Sequence, residues 1–254
     1  MIVDAHMHWP VGKGLDPTKM LRVLDDNGID HAVVSGLEVL HKLGQASHWN
    51  DLLVEFCGRG AGRLTPLATV HLAEGPAALA EARRCVEKLG VHGFKAHPWT
   101  QAESVLGPVM EGLCDLAAEH DVPILFHDGM PPNSLPAQIA VLAGIKPKTK
   151  LVLGHGGLLF FWQEALEAVR RSANLYIALC GQHPWAMQAI SDQADEGRIL
   201  WGTDYVGEGS EEIVTYRKGL ADLLRLDGPR RAAIMGENAR GLFHIAGWQK
   251  EAKA

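Results

Sequence analysis

Val3-Asp4-Ala5-His6-Met7-His8-Trp9 lies almost at the first residue of the chain and alternates apolar with ionisable side chains. Ile2 to His6 has the β-branched and apolar content of a short strand, whose two-residue periodicity puts Asp4, His6 and His8 on one face. A His-x-His pair at a strand end aims two imidazoles at one point, which suits a divalent transition metal. Two hydrogen-bonded, partly buried histidines would leave the same local pattern. The decision therefore rests on how the other strands end.

Seven further apolar runs read as strands: 31–35, 64–70, 93–98, 123–127, 151–155, 175–179 and 198–202. They are short and continuously apolar, as expected when both faces of a parallel sheet are buried. Helical patterns alternate with them. Asp16-Pro17 starts the first, which Asn27-Gly28 ends; others are expected over about 50–57, 76–89, 105–120, 134–143, 162–171, 184–194, 211–224 and 229–243. Glu38 to Trp49 and Asp128 to Pro132 read as loops. Eight strand–helix units in this length predict one (β/α)8 TIM barrel, an α/β fold spanning residues 1–254 as a single domain. The runner-up, an open doubly wound sheet, has no GxGxxG or Walker sequence behind it.

Composition narrows the class. The chain has 254 residues, 47% of them hydrophobic, and a formal charge of −6 from 24 basic and 30 acidic residues. A chain of this size buries a large core without disulfides. No basic stripe or arm suggests a nucleic-acid partner, and no apolar run approaches membrane-spanning length. Cys57, Cys85, Cys114 and Cys180 lack CxxC spacing and read as buried thiols of a reducing compartment. The chain enters a strand at once, without a secretory leader pattern, so a cytoplasmic protein is expected.

A barrel gathers the C-terminal ends of its strands at one mouth. Those ends carry His6 and His8 on the first strand, Lys95 and His97 on the fourth, His127 on the fifth, His155 on the sixth and Asp204 after the eighth. Imidazoles and a carboxylate around an open position make a catalytic rather than a sealed structural metal site. Each residue alone could be an ordinary hydrogen-bonded side chain; five strand ends together point to chemistry.

With these motifs in place, VDAHMHW, GFKAHP, PILFH, LVLGHGG, ILWGTD and the late ENARGLF, the chain resembles the metal-dependent amidohydrolase superfamily. Within it the Gly-His-Gly turn and the Asn-Ala-x-x-Leu-Phe terminus are similar to the branch holding aminocarboxymuconate-semialdehyde decarboxylase, resorcylate-type decarboxylases and pyrone-dicarboxylate lactonases. The resemblance implies His6, His8, His127 and Asp204 as ligands of one divalent metal, expected to be zinc, with manganese, iron or cobalt also suited. It implies catalytic roles for His155, on substrate or bound water, and for Asp204.

Lys95, His97, Trp9 and Trp162 are the candidate substrate-binding residues. Lys95 has a sharper alternative as a carboxylated lysine bridging two metals in a binuclear hydrolase. Asn238 to Phe243 matches the family's structural closing helix. The primary expectation is hydrolysis of a small amide or lactone by a metal-activated water. The alternative is metal-dependent, non-oxidative decarboxylation of a small aromatic or unsaturated acid. A small-molecule substrate is the expected partner, and self-association is compatible with a barrel of this kind. The sequence departs from relatives that continue the eighth-strand motif as GTDYP, having Tyr205-Val206-Gly207 after Asp204, and it is shorter than the well-known decarboxylases.

Overall fold

A computed structural model describes residues 1–9, 14–207 and 209–246. Eight parallel strands run in sequence order around the barrel: β1 (Val3–His8), β2 (His31–Ser35), β3 (Leu64–Thr69), β4 (Phe94–Ala96), β5 (Ile124–Phe126), β6 (Leu151–Leu153), β7 (Leu175–Leu179) and β8 (Ile199–Trp201). The ring closes where Met7 bridges Tyr205, with Asp204 N donating to His6 O and His8 N to Tyr205 O, both at 2.7 Å. That closure carries β1 two residues past the end its local pattern predicts, because its last rungs pair with the segment after β8 as well as with β2. The (β/α)8 expectation holds.

The helices between strands are α1 (Thr18–Asp26), α2 (Ala46–Gly58), α3 (Pro76–Arg84), α4 (Pro108–Glu119), α5 (Pro136–Ile145), α6 (Trp162–Arg171), α7 (Pro184–Gln193) and α8 (Glu211–Asp222). Prolines at the first turn of α3, α4, α5 and α7 cost no helix hydrogen bond and pre-set φ. Asp16 accepts from Thr18 N and Thr18 Oγ1, so the start of α1 is capped from two residues before its first helical residue. Two expectations shift. α2 begins at Ala46, because Ser47 and His48, which break the apolar pattern, sit on its outward turn where Ser47 Oγ donates to Glu81. The final helix is split into α9 (Gly228–Ala232), a wide turn over Ala233–Glu237, and α10 (Asn238–Leu242). No helix of the described residues is long and apolar enough to cross a membrane.

Two apolar layers hold the barrel. The outer one lies between strands and helices; the inner one fills the barrel with Val3, Ala5, Val33, Leu67, Leu125, Val152, Ala178 and Leu200. Ala239, Leu242, Phe243 and Ile245 close the inner layer from the N-terminal end of the strands, where Phe243 O accepts from His92 Nδ1 just before β4. Asn238 Nδ2 fixes this plug by donating to Glu196 O and Ile199 O. The bottom is therefore sealed with hydrocarbon, and polar side chains are left to the opposite mouth.

Candidate metal centre

The first strand supplies the axis of the site. His6 Nδ1 donates to Gly154 O at 3.0 Å, which fixes the tautomer and leaves Nε2 as the only lone pair His6 can offer. Gly154 must be glycine: a Cβ there would stand 2.4 Å from Phe126 O and 3.1 Å from the His6 ring. His8 faces the same way, its Nδ1 hydrogen-bonded with Ser35 Oγ at 2.9 Å and its Nε2 with Asp204 Oδ1 at 3.1 Å. Asp204 reaches inward from a left-handed backbone conformation, φ 54°, which aspartate tolerates better than most residues. His6, His8 and Asp204 thus offer ligand atoms all within 4.8 Å of one another, a geometry that can hold a divalent cation.

Below this trio Asp4 fastens β1 to the β8 exit. Its carboxyl accepts from His6 N and Thr203 N at 3.0 Å each and faces Thr203 Oγ1 at 2.5 Å. Burial pushes Asp4 up to about 7 in spite of these donors. Gly202 lets the strands approach, since a Cβ there would meet His6 Cβ at 2.8 Å.

Lys95 extends from β4 into the same space, 1% exposed, and Nζ donates to His6 Nε2 at 2.7 Å. Burial draws its ammonium down to about 8. His127, expected as a fourth ligand, is held apart from the trio. Its ring stacks on His97 at 3.9 Å, and its Nδ1 shares a hydrogen bond with His155 Nε2 at 2.8 Å. His155 is set by its own backbone: Asp128 Oδ1 accepts from His155 N, Asp128 Oδ2 from Gly157 N, and Gln182 Nε2 donates to His155 O. Its Nδ1 is buried with no hydrogen-bond partner.

Burial is the first cause that holds these rings neutral. It lowers His6 and His8, takes His97 and His155 to about 3, and drops His127 far below the usual imidazole range. Neutral imidazole is the form that ligates a metal. Asp204 is the reverse case. Burial opposes its charge, but the hydrogen bond with His8 holds its carboxyl far below the ordinary range.

The remaining expected residues lie at the edges. Trp9 is 3% exposed and packs on Phe56 and Trp49 in the outer apolar layer. Trp162 opens α6 and meets Trp185 edge-on at 5.2 Å. Arg217, which no motif marks, reaches from α8 to donate to Thr203 O at 2.7 Å and lies 3.9 Å from Asp204 Oδ2. It also lines a cavity of about 200 Å³ between α7 and α8, with Gln182, His183 and Tyr216.

Three of the four residues expected as ligands, His6, His8 and Asp204, come together in this group, and His127 is not part of it. The amidohydrolase family profile matches residues 3–245. The chain belongs to the amidohydrolase family. No curated protein sequence matches this amidohydrolase-family chain, whereas solved structures match it along nearly its whole length. A 2,6-dihydroxybenzoate decarboxylase from Rhizobium is 20% identical, with a TM-score of 0.74 over 97% of this chain and 99% of that one. The 5-carboxyvanillate decarboxylase of Sphingomonas paucimobilis is 14% identical, with a TM-score of 0.75 over 96% and 99%. A dihydroxybenzoic acid decarboxylase from Polaromonas, solved with manganese and the inhibitor 2-nitroresorcinol, is 16% identical, with a TM-score of 0.76 over 96% and 97%. At these identities the likeness is one of fold.

Proposed function

We propose that this amidohydrolase-family protein is a metal-dependent, non-oxidative decarboxylase of small hydroxylated aromatic or unsaturated carboxylic acids. The observation that carries the reading is the Lys95 ammonium, buried against His6 beside the His6–His8–Asp204 cluster. A fixed cation next to a metal site suits a substrate that arrives as a carboxylate. A neutral amide or lactone would leave that buried charge without a partner. The decarboxylases among the solved structures of the same fold support the same choice. Decarboxylation therefore moves ahead of hydrolysis, the first expectation from the sequence.

His6, His8 and Asp204 would hold the ion; His127, whose Nδ1 is engaged by His155, has its Nε2 left as the nitrogen with which it could add to them. When bound, a divalent ion supplies Lewis-acid stabilisation of negative charge on substrate oxygens. Manganese is the ion proposed, because the Asp204 carboxylate suits it and the Polaromonas decarboxylase holds it. Zinc, the expectation from sequence, takes the same donors.

This chain's own residues do the rest. Lys95 Nζ pairs with the substrate carboxylate and orients it. It is also the group in the cluster with a proton to give, since the imidazoles are neutral and Asp204 is ionised. Protonation of the carbon bearing the carboxylate precedes cleavage of the carbon–carbon bond. The electron pair of that bond returns to the conjugated system, carbon dioxide leaves, and the Lys95 amine recovers its proton from solvent.

The test is to supply the manganese-loaded full chain with 2,6-dihydroxybenzoate, 5-carboxyvanillate, a small lactone and a small amide. Carbon dioxide released one for one with the decarboxylated phenol is the expected result. A ring-opened acid or a freed amine, with no carbon dioxide from either aromatic acid, overturns the proposal.

A further inference from the structure

Cys180 directly follows β7, is 1% exposed, and belongs to the inner layer of the barrel. Its sulfur, a ring nitrogen of His6 and a ring nitrogen of His155 all lie within 4.8 Å of one another. Three observations make this more than a buried thiol. His155 spends Nε2 on His127, yet its Nδ1 is buried without a partner, as a metal-ligand nitrogen would be before loading. Arg217 Nη1 donates to Cys180 Sγ at 3.1 Å, so a guanidinium stands ready to offset charge on the sulfur. His6 Nδ1 is committed to Gly154 O, so the one His6 nitrogen open to a metal is the same one that faces His8 and Asp204.

We propose that His6, His155 and Cys180 form a second, thiophilic metal position that shares His6 with the His6–His8–Asp204 position and cannot be filled at the same time. The donor sets differ in softness. Two imidazoles with a carboxylate accept manganese as well as zinc, whereas a thiolate discriminates against manganese and favours the softer zinc and cadmium. Binding at the sulfur position forms one metal–sulfur bond and releases the thiol proton to solvent. A soft ion held there occupies His6 and shuts the hard-ion position, so cadmium acts as an antagonist of manganese at this centre. The exclusivity rests on the reading of His6, His8 and Asp204 as the catalytic metal position; the sulfur ligation does not.

The experiment uses the full chain freed of metal by a chelator, then titrated with cadmium while the near-ultraviolet absorption is followed. A sulfur-to-cadmium charge-transfer band that saturates at one ion per chain is expected. It disappears in Cys180→Ser and persists in Asp204→Asn. Manganese affinity responds in the opposite way, falling about 10- to 100-fold in Asp204→Asn and less than about 2-fold in Cys180→Ser. Elemental analysis of protein loaded with manganese and then cadmium shows one ion replacing the other.

Absence of the band in the wild type overturns the proposal, as does a band that survives in Cys180→Ser. Simultaneous binding of one manganese and one cadmium overturns the exclusivity. Should Cys180→Ser not fold, X-ray absorption of the cadmium-loaded wild type reports directly whether sulfur is bound. Failure to bind manganese, with the cadmium band present, counts against the catalytic reading alone.

Discussion

Asp4 is the residue through which the site and the barrel hold each other, and its replacement by alanine has a magnitude that follows from the structure. Its carboxyl receives His6 N, Thr203 N and Thr203 Oγ1, on residues that are 0% exposed. Removing the acceptor leaves three buried donors unpaired, at about 1–3 kcal/mol each. A water entering the vacated space recovers part of that, so the expected loss is about 3–6 kcal/mol, a large share of the stability of an ordinary domain.

Asp4→Asn is the graded control. Burial holds Asp4 near 7, so at neutral pH the wild type is already partly protonated. An amide keeps one oxygen for the two N–H donors and turns its NH2 toward Thr203 Oγ1, which then accepts. Asparagine should therefore cost about 1 kcal/mol or less. Urea unfolding of metal-free wild type, Asp4→Asn and Asp4→Ala at pH 7 measures both. Alanine no more destabilising than asparagine, or a loss below about 1 kcal/mol, would refute the claim that this carboxyl is the acceptor for those donors.

Other consequences can be checked in parallel. Ser35→Ala removes the hydroxyl that orients His8 Nδ1, so manganese affinity by calorimetry should fall about 10- to 100-fold while the circular dichroism spectrum stays native. Lys95→Met should lower carbon dioxide release by at least about 100-fold; it should also tighten manganese binding, because Nζ no longer holds His6 Nε2. Unchanged turnover with unchanged affinity would contradict both roles.

Glu81 accepts from Ser47, Asn50, Arg84 and Cys85; burial opposes its charge, yet these donors draw it down from 4.5 to about 2. Its stabilising contribution is therefore complete above pH 4.5 and lost as pH falls toward 2, up to about 3 kcal/mol before discounting for the partly solvated Arg84. Glu81→Gln should flatten that part of the stability-versus-pH curve. Phe243→Ala opens the barrel plug and should cost about 3–5 kcal/mol in denaturant unfolding, with little change in manganese affinity at the far mouth.

Most of the fold was legible because buried parallel strands announce themselves as short apolar runs. β2 and β7 fall where their runs do, and β5 and β6 carry their ladders one residue beyond the regular strand, through His127 N to Ala96 O and Gly154 N to Phe126 O. What the sequence hid depends on partners distant along the chain. β1 is lengthened by Tyr205, and α2 begins four residues early on a turn whose Ser47 answers to Glu81.

The site divides in the same way. His6, His8, His155, Lys95 and Asp204 were readable as polar residues at strand ends. Their supports were not. Ser35 looks like the last residue of any strand, and Gly154 acts through its carbonyl. Asp128 works by accepting backbone N–H groups. Arg217 and Cys180 meet only because α8 folds over the end of β7. Trp9, expected at the substrate, is turned outward by strand alternation and packs on Phe56.

The deepest consequence of the geometry is that one nitrogen has three claimants. Gly154 O fixes the His6 tautomer, so His6 Nε2 can serve Lys95, a cation shared with His8 and Asp204, or a cation shared with His155 and Cys180. In the free protein Lys95 holds it. A metal arriving at His8 and Asp204 must displace the ammonium, and the displaced ammonium then needs an anion, because a buried unpaired charge is costly. A substrate carboxylate meets that need. Metal and substrate should therefore bind with positive coupling, each tightening the other, and this thermodynamic cycle must close whichever is added first. Manganese titrations with and without a non-reacting aromatic carboxylate measure the coupling. Lys95→Met should abolish it, since with no ammonium to displace, the two ligands lose the residue that links them.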